Sequence, residues 1–112
     1  MKRALIAGIN KYNDPRKNLK GCINDATLAS KVFCNQYGFR EVMLLTNDVC
    51  TKSNILSRLE ELVSATKPGD TALFFFSGHG GQVPDRNADE GDAFDECLIT
   101  YDHSWSNPLV DD

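Results

Sequence analysis

No apolar run in these 112 residues approaches the roughly 18 that a membrane-crossing helix needs, so no part of the chain reads as a span. The opening MKRALIAGIN carries two basic residues, but its apolar run is only about five long before Gly8 and Asn10. It is expected to be a first strand and not a signal peptide. Without such a signal, Cys22, Cys34, Cys50 and Cys97 are expected to be reduced thiols in a cytoplasmic protein. No C-x-x-C pair occurs and neither histidine lies near paired cysteines, which argues against a structural zinc site. Gly-x-Gly-x-x-Gly and lysine-bearing phosphate loops are absent as well, and the acidic surroundings of SGHGG repel phosphate, which argues against a small anion-binding domain. No basic stripe interleaved with aromatics points to nucleic acid. No internal repeat or linker divides the chain.

What is present is an ordinary globular composition, 41% hydrophobic and 25% charged. The length supports one domain over residues 1–112, with one modest core. Charge is unevenly spread: residues 1–84 hold 11 basic and 7 acidic side chains, whereas 85–112 hold nine acids and only Arg86. Those acids alternate with aromatic and apolar residues, so a cation site stands beside the plainer reading of a solvated acidic loop. QVPDRNADEGDAFD is poor in apolar residues and reads as a mobile loop. DRNADEGDAFDE is not an EF-hand, because glycine at the sixth place with glutamate at the twelfth is lacking.

RALIAG (3–8) is a short apolar run stopped by glycine, as in a buried strand. INKYNDPRKNLKG follows as a loop. From Asn24 or Asp25, either a good N-cap, Leu28, Ala29, Val32 and Phe33 recur at helical spacing, and Gly38 stands where a left-handed residue ends a helix. Cys34 falls on or beside that apolar face and is expected in the core. EVMLLT (41–46) is a second strand. Thr51 or Ser53 can cap a second helix that turns Ile55, Leu56, Leu59, Leu62 and Val63 to one side. TALFFF is a third strand, apolar on both faces, and ECLITYD (96–102) a fourth. Strands alternating with amphipathic helices predict an α/β fold with a mostly parallel sheet flanked by helices on both faces. Function is expected in the loops at the strands' carboxyl ends, residues 9–22, 47–51 and 77–95.

One of those loops stands out. FFFSGHGGQ (74–82) drives a three-phenylalanine strand onto a flexible run that holds one histidine. Glycines at 78, 80 and 81 let the backbone approach a ligand closely. A single imidazole on so rigid a base suits general acid–base chemistry, and the glycine amides suit a developing oxyanion. The residues alone leave a second reading open, a glycine-rich turn whose histidine merely holds a neighbouring carbonyl.

RALIAGINKY, LKGCINDA, NILSRLEELV, FFFSGHGGQ and DEGDAFDECLITYD, in that order and over essentially the whole chain, resemble the metacaspase and orthocaspase branch of the caspase-like cysteine peptidases. The resemblance implies a caspase-like fold and a Cys-His dyad that cuts a peptide or protein substrate after Arg or Lys. It makes His79 the dyad histidine and the Gly80 amide the oxyanion donor. It places Asp25 at the floor of the pocket for the Arg or Lys side chain, with Ser77 beside it, although Asp25 would equally serve as a helix cap. Asp95, Asp111 and Asp112 match positions that ligate an activating calcium, and a further ligand would lie beyond residue 112, so calcium is expected to bind weakly.

The chain departs from the family in one respect. The nucleophilic cysteine of the family lies several tens of residues after the histidine, in an Asp-x-Cys-His-Ser-Gly-like segment that this sequence does not contain. The domain is therefore expected to be truncated and incomplete at its carboxyl end, with little or no turnover of its own. Of the cysteines present, Cys50 and Cys97 are expected to be structural. Cys22 matches a place where some members carry a secondary cysteine near the active site, which makes it the second candidate nucleophile. Asp85, Asp89, Glu90 and Asp92 receive no role, and His103 is expected on the surface. The leading expectation is a calcium-activated cysteine endopeptidase domain without its nucleophile. The alternative is a non-catalytic caspase-like module that binds calcium or a partner peptide. An open sheet edge predicts self-association or completion by a carboxyl-terminal segment.

Overall fold

A computed structural model describes residues 1–84 and 94–111. The strands β1 (Lys2–Gly8), β2 (Glu41–Thr46) and β3 (Thr71–Ser77) make a parallel sheet in the order β2-β1-β3. Helix α1 (Cys22–Tyr37) joins β1 to β2, and α2 (Lys52–Ala65) joins β2 to β3. Successive strand residues face opposite ways, and the register turns this into two half-cores. Ile6 aligns with Leu44 and Phe75, while its neighbour Leu5 aligns with Met43 and Phe74. Ala4, Ile6, Leu73 and Phe75 pack with Ala26, Ala29 and Phe33 of α1. Leu5, Ala7, Phe74 and Phe76 pack with Ile55, Leu59 and Leu62 of α2. The helices therefore cover opposite faces, as the expected fold class requires.

A second sheet was not foreseen. β4 (Gly80–Pro84), β5 (Phe94–Leu98) and β6 (Leu109–Asp111) form an antiparallel trio in that order. Cys97, Ile99 and Leu109 join the half-core under α2, so both sheets share one interior. The strand expected over 96–102 starts earlier and ends at Leu98. Beyond it Tyr101 N–H donates to Cys50 O at 3.0 Å, and Asp102 Oδ1 accepts the Lys52 N–H at 2.9 Å. Residues 85–93, including Asp85, Asp89, Glu90 and Asp92 and most of the expected mobile loop, lie outside the described residues.

The helix ends show where local signals hold and where they yield. Thr51 caps α2, its hydroxyl accepting from Asn54 N–H at 3.2 Å. Gly38 ends α1 in the left-handed region at φ 71°. The start of α1, expected at Asn24 or Asp25, falls instead at Cys22 with Gly21 before it. Asn10 from the preceding loop supplies the missing acceptor: its Oδ1 takes the N–H groups of Cys22 and Ile23 at 2.8 and 3.2 Å. Cys34, expected in the core, is exposed, and so are Leu28, Leu56 and Val63. Ala26, the one fully buried residue of α1, packs with Ala29 and Phe33 against the sheet, and Leu28 and Cys34 fall to either side of that narrow contact.

That contact also explains the glycine at the end of β1. A Cβ on Gly8 would lie 2.8 Å from Ala26 Cβ and 2.9 Å from Cys22 O. Gly8→Ala is expected to push α1 off the sheet and lower stability by about 1–3 kcal/mol, as overpacking does. Urea unfolding followed by circular dichroism measures it, and an unchanged midpoint would remove this account of Gly8.

Candidate active site

The carboxyl ends of β1 and β3 lie side by side, with Ile9 N–H donating to Ser77 O at 3.0 Å. Between them gather the loop after β1 and residues 77–80. The loop is held by side-chain carbonyls. Asn47 Oδ1 accepts from the Asn10 and Lys11 N–H groups, both at 3.0 Å, and Asn18 Oδ1 accepts from Tyr12 N–H at 2.9 Å. Asn47 itself sits at φ 49°, a left-handed conformation that asparagine tolerates. Pro15–Lys17 form a single 3-10 turn opened by Asp14. Such a turn leaves its last carbonyls unpaired, and that of Lys17 is one of them.

His79 fills this gap. Its Nε2 lies 2.8 Å from Lys17 O. A carbonyl only accepts, so Nε2 carries a proton, and in the neutral ring Nδ1 is then the acceptor. The His79 main chain is held on both sides. Its carbonyl accepts from Ile99 N–H at 2.9 Å, and its N–H donates to Tyr12 Oη at 2.9 Å. Hydrogen-bonded and non-hydrogen-bonded pairs alternate along an antiparallel ladder. With His79 bonded to Ile99, the next pair, Gly80 and Leu98, is of the second kind. The Gly80 N–H therefore turns away from β5, beside a cavity of about 360 Å³ over Gly80, Gly81, Gln82, Glu96, Cys97 and Leu98.

The other residues singled out in the sequence fall around this point. Asp25 stands on the first turn of α1, exposed, with one carboxylate oxygen accepting from Ser77 Oγ at 3.4 Å. The geometry thus joins Asp25 and Ser77, and it removes Asp25 from the capping role. Cys22 is half-buried at the start of α1, and no hydrogen bond joins it to His79. Cys50 and Cys97 are buried, as expected of structural thiols. Burial pushes the Cys50 thiol up to about 11, opposed by a contact with Gly8 O, and it raises Cys97 as well. Burial also raises the Tyr12 phenol, opposed by the His79 amide and assisted by the nearby thiols of Cys22 and Cys50.

Of the residues proposed for calcium, Asp95 belongs to β5 and Asp111 to β6. Asp95 precedes Glu96 on β5, and Glu96 faces Asp111 of β6. Their side chains and Asp112 lie outside the described residues. His103, expected on the surface, is half-buried. Neither of its ring nitrogens has a hydrogen-bond partner among the described residues. Burial lowers its pKa, with Lys17 adding to the effect and Asp102 opposing it. It packs edge-on against Trp105 at 4.3 Å between ring centroids, and a Cβ on Gly81 would lie 3.1 Å from the indole Cη2. A larger cavity, about 520 Å³, opens at the amino ends of the strands among Arg3, Glu41, Arg58 and Glu61. Arg3–Glu41 and Arg58–Glu61 ion pairs already occupy its rim, far from the histidine loop.

Sequence reasoning missed Asn10, Asn18, Asn47 and Tyr12. Each lies in a segment whose composition announces only a turn.

Comparison with known proteins bears directly on this arrangement. The family described as "Metacaspase, peptidase C14 domain" matches residues 2–112. Metacaspase-2 of Arabidopsis thaliana is 41% identical over 99% of this chain and 28% of its own length. Metacaspase-1 of Schizosaccharomyces pombe is 36% identical, again over 99% of the chain and 28% of its own length. This chain thus spans under a third of the curated relatives it matches. A Geobacter sulfurreducens protein of known crystal structure superposes with a TM-score of 0.78 at 31% identity, over 99% of this chain and 42% of that one. By sequence and by fold, the chain belongs to the metacaspases, with the peptidase C14 domain matched over residues 2–112.

Proposed function

We propose that this chain is the histidine-bearing part of a cysteine endopeptidase that cuts after Arg or Lys, with its nucleophilic thiol supplied from outside these residues. The observation that carries the reading is the Nε2–H bond to Lys17 O, which leaves Nδ1 able to accept a proton. In this reading Nδ1 takes the thiol proton as sulfur attacks the scissile carbonyl, and the electron pair moves onto the carbonyl oxygen. The outward Gly80 N–H stabilises that oxyanion. Collapse breaks the C–N bond, the imidazolium returns its proton to the leaving amine, and water then hydrolyses the thioester. Asp25, held by Ser77, presents its second oxygen to the guanidinium or ammonium before the scissile bond.

Three carboxylates, from Asp95, Asp111 and Asp112, suit a hard cation that prefers oxygen ligands, and the strands that carry Asp95 and Asp111, β5 and β6, are paired neighbours. Calcium bound there would supply positive charge that offsets their mutual repulsion. Among the described residues β3 pairs only with β1, which leaves its outer edge and three phenylalanines half-covered. A further strand, from a longer polypeptide or from a second copy, would pair along that edge. A second reading, a non-catalytic module, is favoured by the thiols present. Cys50 and Cys97 are buried with raised pKa values, Cys34 is on the outer surface, and Cys22 is not bonded to His79.

Three measurements test these assignments. The chain is grafted in place of the matching stretch of the Arabidopsis relative and assayed beside that parent on fluorogenic Arg and Lys peptides. Cleavage is expected, with a loss of about 10²–10⁴-fold in His79→Ala. A folded chimera that cleaves nothing sinks the peptidase reading, and calcium-dependent turnover by the ungrafted chain, lost in Cys22→Ala, would make Cys22 the nucleophile. An affinity of about 1 mM gives about 1.4 kcal/mol at about 10 mM calcium, raising the melting midpoint by roughly 4–8 °C. Asp111→Asn is expected to abolish that rise, and a rise unaffected by the variant would move the cation elsewhere. In sedimentation at micromolar concentration the chain is expected to self-associate through β3, and a monodisperse monomer would count against that.

A further inference from the structure

We propose that Tyr12 is the positioning residue of this site: its phenol oxygen grips the His79 main chain and its ring braces the imidazole. What His79 is positioned to do rests on the peptidase reading, whereas the grip itself does not.

Tyr12 lies in a loop of polar residues, yet it is only 6% exposed. Its Oη receives the His79 N–H at 2.9 Å, and its ring centroid stands 5.3 Å from the imidazole at a tilt of 44°. The phenol occupies the place of a ladder partner. His79 and Ile99 already exchange one hydrogen bond, and the ordinary recipient of the His79 N–H would be the Ile99 carbonyl. With that bond made, β4 would run through His79, and its side chain would follow the alternation of the strand. The phenol ends the strand one residue early and frees the imidazole to turn toward Lys17 O.

Both arms of the grip come from the same short loop. Lys17 holds Nε2, Tyr12 holds the main chain, and Asn18 Oδ1 ties them by accepting the Tyr12 N–H at 2.9 Å. Gly78 lets the chain come close enough. A Cβ there would fall 2.8 Å from Tyr12 Oη and 2.9 Å from Phe76 Cζ. Burial keeps the phenol protonated, so it accepts the amide proton while retaining an O–H of its own.

Tyr12→Phe removes the oxygen and leaves the ring. Two properties of the chain would be read by NMR: amide hydrogen exchange at His79 and the imidazole nitrogen shifts, which report the tautomer. Exchange at His79 is expected to speed about tenfold, the factor for a hydrogen bond of about 1.4 kcal/mol. The single Nε2–H tautomer is expected to give way to a mixture, while the amides of Ile6 and Phe75 stay protected. Gly78→Ala keeps the phenol but crowds its oxygen, and is expected to produce the same two changes, so the proposal remains testable if one variant fails to fold. Exchange within about twofold of wild type, with the tautomer unchanged, in whichever variant folds would overturn the grip. A chain that shows the grip while the grafted chimera cleaves nothing would defeat the peptidase reading alone.

Discussion

The carboxyl ends of the parallel strands depend on the side chain of Asn10. Its Oδ1 satisfies two N–H groups at the start of α1, its own N–H goes to Asn47 after β2, and its carbonyl receives Leu19 N–H at 2.7 Å. A helix end left without acceptors would cost the desolvation of those amides. Gly21 has no side chain to cap them, so the loop brings the acceptor. The loop is thereby pinned at both ends, and Lys17 presents its carbonyl to the imidazole from within it.

The sheet supplies the complementary rigidity. β3 carries Phe74 and Phe76 into one half-core and Leu73 and Phe75 into the other, so Ser77 cannot slide without turning every one of them to the wrong face. His79 stands two residues beyond this anchor. From there the chain enters the second sheet, whose Cys97, Ile99 and Leu109 share the interior under α2. The histidine thus stands between two sheets that share one apolar interior.

The parallel half of the fold was legible in the sequence because its signals are local. β1, β2 and β3 are apolar runs ended by loops, Thr51 caps α2, and Gly38 closes α1. Of the antiparallel half only β5 was legible, as ECLITYD, and its two partners were hidden for physical reasons. β4 begins Gly-Gly, a pair with poor strand propensity, and β6 has three residues, too few for any period. At the site, His79, Ser77 and Asp25 were legible because short spacing or family resemblance carries them. The asparagines and Tyr12 were not. Their roles lie in bonds to residues up to 67 positions away, which no window along the chain can register.

Trp105 has a practical consequence. It is the single tryptophan of the chain, 59% exposed, and it rests on His103 on one side and beside Gly81 on the other. A molecule settling on the start of β4 meets that indole. The chain therefore carries its own optical probe next to the histidine loop, readable from its emission without a label.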